Sequence, residues 1–92
     1  MPIWTTLAAS DLAMVMIARG RFGDADTLVA RALQAGERNR KGLYPAHLAE
    51  TELAAARGDQ DASSLAERAL AEALAGGHLM SVPRLQELAG RR

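Results

Sequence analysis

Apolar positions recur along the chain at the three-to-four-residue spacing of helices, in blocks separated by Gly, Pro and Asp. A first helix is expected over about residues 5–19, capped by Thr5 or Thr6 and stopped by a left-handed Gly20. Within it Leu12, Ala13, Met14, Val15, Met16, Ile17 and Ala18 run apolar without a break, more than a single stripe holds, so burial on two sides is expected. Ala9, Leu12, Ala13 and Met16 fit a face toward the second helix, and Leu7, Met14 and Ile17, with Ile3 and Trp4, a face turned elsewhere. Gly23 and Asp24 open a second helix that ends near Ala35 and Gly36, with Asp24 and Asp26 placed against its positive N-terminal dipole. Residues 37–42 read as a charged connector. Pro45 suits the first turn of a third helix that runs to Arg57 and stops at Gly58. Asp59 and Asp61 introduce a fourth, over about residues 60–75, ended by Gly76 and Gly77. Ser81 and Pro83 begin a short fifth helix to about Ala89, with Val82, Leu85 and Leu88 on one side and Arg84, Gln86 and Glu87 on the others. The fold class is therefore all-α.

The chain also repeats itself. At an offset of 37, Asp24 and Ala25 fall on Asp61 and Ala62, Leu28 on Leu65, and Arg31, Ala32 and Leu33 on Arg68, Ala69 and Leu70. The first and third helices follow, with Ala9 on Ala46, Leu12 on Ala49 and Met16 on Leu53, while Arg19 and Gly20 match Arg57 and Gly58 at 38. Each copy is helix, glycine turn, helix, so an antiparallel hairpin is expected, with Ala at the crossings where two backbones come close.

That spacing resembles the tetratricopeptide repeat. The first copy reads Ala9, Leu12-Ala13, Met16, Gly20, Phe22, Ala25, Val29 and Ala32-Leu33; the second reads Ala46, Ala49-Glu50, Leu53, Gly58, Ala62, Ala66 and Ala69-Leu70. The signature Trp, Tyr and loop Pro are missing from their usual places, Glu50 stands where a small residue belongs, and the period is longer than 34. The Ala-Leu-rich stretch LAAARGDQDA is more similar to the divergent arrays of bacterial signal-sensing transcription activators. The resemblance implies one domain, residues 1–92: a first hairpin at 5–36 and a second at 43–76 in a right-handed superhelical stack, then a capping helix at 81–90. A plain four- or five-helix bundle is the other arrangement the pattern allows.

Composition narrows the function. The 92 residues include 20 Ala and 13 Leu against three Val and two Ile, a strongly helical balance with material for one modest core. Eleven basic and eleven acidic side chains cancel, so no net field draws the chain to nucleic acid or an anionic membrane. With no Cys there is no disulfide or thiolate site, and with no signal segment a cytoplasmic protein is expected. The apolar run is too short to span a bilayer. His47 is followed at four residues by Thr51 rather than a ligand, and His78 stands after two glycines, so both read as structural or solvated and no metal site is expected. Asp24, Asp26, Asp59 and Asp61 lack the glycine and closing Glu of a calcium loop and read as helix caps. No phosphate loop or base-paired Ser occurs, so neither cofactor nor enzyme activity is expected. Arg38, Arg40 and Lys41, with Arg91 and Arg92, form a basic cluster that reads as a solvated loop or a small dock for an acidic partner.

What remains is binding. The pattern predicts a non-catalytic interaction module whose partner is a protein or peptide, a second copy in a homo-oligomer, or a larger chain. Two hairpins fall short of the three or so repeats that stand alone, which favours such a supplement. The alternative is the sensing or oligomerising fragment of a bacterial transcriptional regulator. Candidate partner-binding residues are Trp4, Leu7, Asp11, Met14 and Ile17 on the first helix and His47, Glu50 and Thr51 on the third.

Overall fold

The computed structural model describes the backbone of residues 3–37 and 40–90 and, within these, the side chains of residues 8–37 and 43–90. Every regular element among them is helical: α1 (Ile3–Ala18), α2 (Phe22–Gly36), α3 (Arg40–Arg57), α4 (Ala62–Gly76) and α5 (Val82–Gly90), the last entered through a 3-10 turn at Leu79–Ser81.

Three of the helices stop in the same way. Gly20, Gly58 and Gly77 have φ of 73°, 73° and 72°, the left-handed region that a side chain disfavours. The residue after each glycine returns its N–H five positions back, Arg21 to Met16 at 2.8 Å, Asp59 to Ala54 at 3.0 Å and His78 to Ala73 at 2.8 Å. Each glycine N–H meanwhile bonds three positions back, to Ile17, Ala55 and Leu74, completing a Schellman motif that satisfies the last carbonyls of the helix. The glycine stops expected at 20, 58 and 77 thus form, whereas α2 ends on Glu37 in ordinary helical geometry (φ −58°, ψ −30°), and Gly36 instead leaves room for Leu43, which a Cβ there would crowd.

Helix starts differ more from expectation. α1 begins at Ile3, so Thr5 and Thr6 lie within the helix and not at the residue before it, as expected of caps, and their side chains lie outside the described residues. α3 begins at Arg40, which turns much of the expected connector into helix and places Pro45 inside rather than in the first turn. Proline there forfeits the one backbone bond that an N–H at position 45 would make four residues back. Neither Arg21 at the head of α2 nor Asp61 at the head of α4 makes a side-chain cap bond. Asp24 pairs with Arg21 at 2.6 Å and Asp26 faces Arg57 at 3.6 Å, so these aspartates act as ion-pair partners instead of caps.

α1, α2 and α3 pack on one another, α4 packs on α3, and α5 lies on α4 with a smaller contact to α3. Ala9, Ala32 and Ala46, one from each of the first three helices, meet in one cluster, and Ala13, Ala25, Val29, Ala49 and Leu53 form the neighbouring one. Ala69, Ala73 and Leu85 form a third, joined by Tyr44, Leu48, Leu70 and Val82. Eleven of the fifteen buried apolar residues described are Ala, each burying about one methyl, so helix axes approach closely, with half-buried Met14, Met16, Ile17, Phe22, Leu28 and Leu33 packed around them. The predicted face of α5 is the buried one, with Leu85 and Leu88 at 1% and 2% exposure.

The apolar run of α1 sorts differently from expectation. Met14, Met16 and Ile17 pack against the Ala13 cluster, whereas Leu12 and Val15 remain exposed at 46% and 44%. α2 and α3 cover adjoining arcs of α1, so the stripe 9–13–16 and the stripe 10–14–17 are both enclosed and the opposite side is left to solvent.

Candidate functional site

α2 and α4 both pack on α3 and stay apart from each other, which leaves an open groove along α3. Its lining follows helical periodicity on three elements. α3 contributes Leu43, His47, Glu50, Ala54 and Arg57; α4 contributes Leu65, Arg68, Ala69, Glu72 and Ala75; α2 contributes Asp26, Val29, Ala30 and Leu33. Three hollows of about 310, 260 and 290 Å³ succeed one another, the first and second sharing Glu50 and Leu65, the second and third sharing His47 and Glu72. At 1.5 Å per residue the α3 stripe is roughly 20 Å long, room for about six residues of extended peptide.

The floor is apolar and the rim charged. Val29, Leu53, Ala54 and Ala69 are buried beneath it. At the α2 end Arg57 faces Asp26 at 3.6 Å and donates to the Phe22 carbonyl at 3.1 Å. At the middle stands His47, Nε2 3.2 Å from Glu72 Oε2 and Nδ1 3.7 Å from Glu50 Oε1. The nearby Glu50 carboxylate raises the His47 pKa above its ordinary 6.5; burial opposes it, the Glu72 charge adds to it and the Arg68 charge subtracts. At the α5 end Tyr44 stacks on His78 with ring centroids 5.0 Å apart and planes 12° from parallel. The stack depends on Gly76, since a Cβ there would overlap the Tyr44 hydroxyl.

Of the residues singled out in the sequence, His47 and Glu50 line this groove. Thr51 does not: it is 1% exposed and donates its hydroxyl to the His47 carbonyl at 2.8 Å, the back-bonding that occupies a Thr inside a helix. Met14 and Ile17 belong to the core cluster, and Asp11 is exposed on α1, which contributes nothing to the groove. The side chains of Trp4, Leu7, Arg40 and Lys41 and the residues Arg38, Arg91 and Arg92 lie outside the described residues. Tyr44, Arg68 and Glu72 were not singled out. His47 had a partner three residues on in Glu50, a helical neighbour that a search at four residues passes over. His78, read as structural or solvated, is the stacking partner of Tyr44.

Among the described residues no three His, Asp or Glu side chains are grouped to hold a metal ion, and no helix is long and apolar enough to cross a membrane. Compared with family models, curated proteins and solved structures, the chain matches none.

Proposed function

We propose that the chain is a non-catalytic protein–protein interaction module, two tetratricopeptide-like hairpins and a capping helix, that takes a peptide or partner helix into the groove on α3. The observation that carries this reading is the groove itself: three successive hollows lined by regular stripes from three helices, over a buried apolar floor and under a charged rim. The hairpin assignment is supported by buried equivalents at the offset of 37, Ala9 with Ala46, Val29 with Ala66, and Ala32 with Ala69. It is supported too by the left-handed glycine that closes both α1 and α3.

A second copy of the chain is the competing partner, favoured by Leu74, Leu79 and Met80, which are 53%, 66% and 91% exposed near the end of α4. One experiment separates the two. Peptides selected from a random library on the full chain are measured by fluorescence anisotropy against Ala30→Arg and Ala75→Arg, exposed positions in the outer hollows, and Asp11→Arg on α1. The two groove variants are expected to weaken binding about tenfold or more, the loss of roughly 1.4 kcal/mol, with Asp11→Arg unchanged. Equal binding by all three rejects the groove, and a chain that is dimeric by light scattering favours the second copy.

A further inference from the structure

α3 and α4 are tied across the groove at a polar point between its second and third hollows. His47 of α3 is half-buried there, its Nε2 3.2 Å from the Glu72 carboxylate of α4 and its Nδ1 3.7 Å from the Glu50 carboxylate of its own helix. Neutral imidazole carries one N–H and no charge, whereas imidazolium carries an N–H on each nitrogen and a positive charge that both carboxylates face. Among the described residues, the other charged or titratable groups around it are Arg68 of α4, which opposes protonation, and the Tyr44 phenol of α3, which lines the same hollow and stacks on His78.

We infer that His47 is a pH-sensitive crossbar of the groove: protonated, it holds Glu50 and Glu72 together and fastens α4 to α3, and neutral, it releases one carboxylate to the groove. The effect on a bound peptide rests on the function proposed above; the crossbar itself does not. The direction of the linkage follows from the raised pKa. The folded chain holds the His47 proton more tightly than the unfolded chain, whose value is near 6.5, so the tie contributes fully below that pH. It is lost as pH rises through the folded value.

The test needs no ligand, so failure to find a groove peptide leaves it intact and a flat pH response leaves the groove intact. Denaturant unfolding of the full chain and of His47→Gln is compared at about pH 5.5 and about pH 8.5, on either side of the imidazole range. The wild-type midpoint is expected to exceed that of His47→Gln at the lower pH and to meet it at the higher. In parallel, imidazole proton resonances of the wild type and of Glu72→Gln are titrated, an exposed position at which folding is not at stake. The His47 midpoint should lie above 6.5 and fall on Glu72→Gln. An equal stability difference at both pH values, or a His47 midpoint indifferent to Glu72→Gln, overturns the inference.

Discussion

At the scale of single residues, burial decides which of the many charged pairs matter. Arg84 on α5 lies between two carboxylates. Toward Glu52 of α3 it makes two bonds of 2.6 Å, the planar fork of Arg meeting both oxygens of a side chain only 11% exposed. Toward Glu87, one turn along its own helix, it makes one pair at 2.9 Å with a side chain 56% exposed. Exposed pairs on one helix contribute little because solvent screens them and side-chain entropy opposes them, whereas a shielded two-bond pair keeps most of its strength. Glu52→Ala is therefore expected to cost about 1–2 kcal/mol and Glu87→Ala about 0.5 kcal/mol or less. Denaturant midpoints of the two variants check this, and equal losses would show that burial is not the deciding factor.

At the scale of elements, the glycines separate by backbone geometry. Gly58 at φ 73° is required by the motif that ends α3, while Gly23 lies within α2 with open space where a Cβ would stand. Gly58→Ala is expected to destabilise by about 1–2 kcal/mol, and Gly23→Ala to stabilise by about 0.5 kcal/mol through helix propensity. Thermal unfolding midpoints moving in opposite directions would bear this out. Helix ends of this kind were legible because the signal is local: a glycine after an apolar stripe is sufficient. The buried face of α5 was legible for the same reason, as Val82, Leu85 and Leu88 make a narrow stripe. The beginning of α3 was not, since residues 37–42 read as a charged connector and Pro45 as a first-turn residue, whereas the helix already runs from Arg40. Nor was the exposed side of α1, because an all-apolar run carries no polar residue to mark which arc two neighbours will cover. The groove was half legible. His47 and Glu50 lie three apart on one helix, but Glu72 and Arg68 reach them from α4, and no pattern within one helix announces a partner on another.

At the scale of the molecule, the core is not one cluster. The first two clusters are built by α1, α2 and α3, the third by α4 and α5, and α3 alone serves both, through Ala46, Ala49 and Leu53 on one side and Tyr44 and Leu48 on the other. The molecule is correspondingly flat, 36 × 31 × 17 Å. A chain of this size is held by about 5–15 kcal/mol in total, so loss of one anchor is a large fraction. Leu85 is the anchor of the second unit, 1% exposed and packed on Ala69 and Ala73, whose methyls are too small to close over a void. Leu85→Ala is expected to cost about 2–4 kcal/mol, transfer and cavity together. Because, among the described residues, α4 and α5 reach the other helices only through α3, the loss should be local before it is global. Amide hydrogen exchange then shows the α4 and α5 amides of Leu85→Ala losing protection first, while those of α1 and α2 follow global unfolding. Protection falling equally in all five helices would mean that α3 couples the two units into one, and that the groove lies within a single cooperative body instead of along the seam between two.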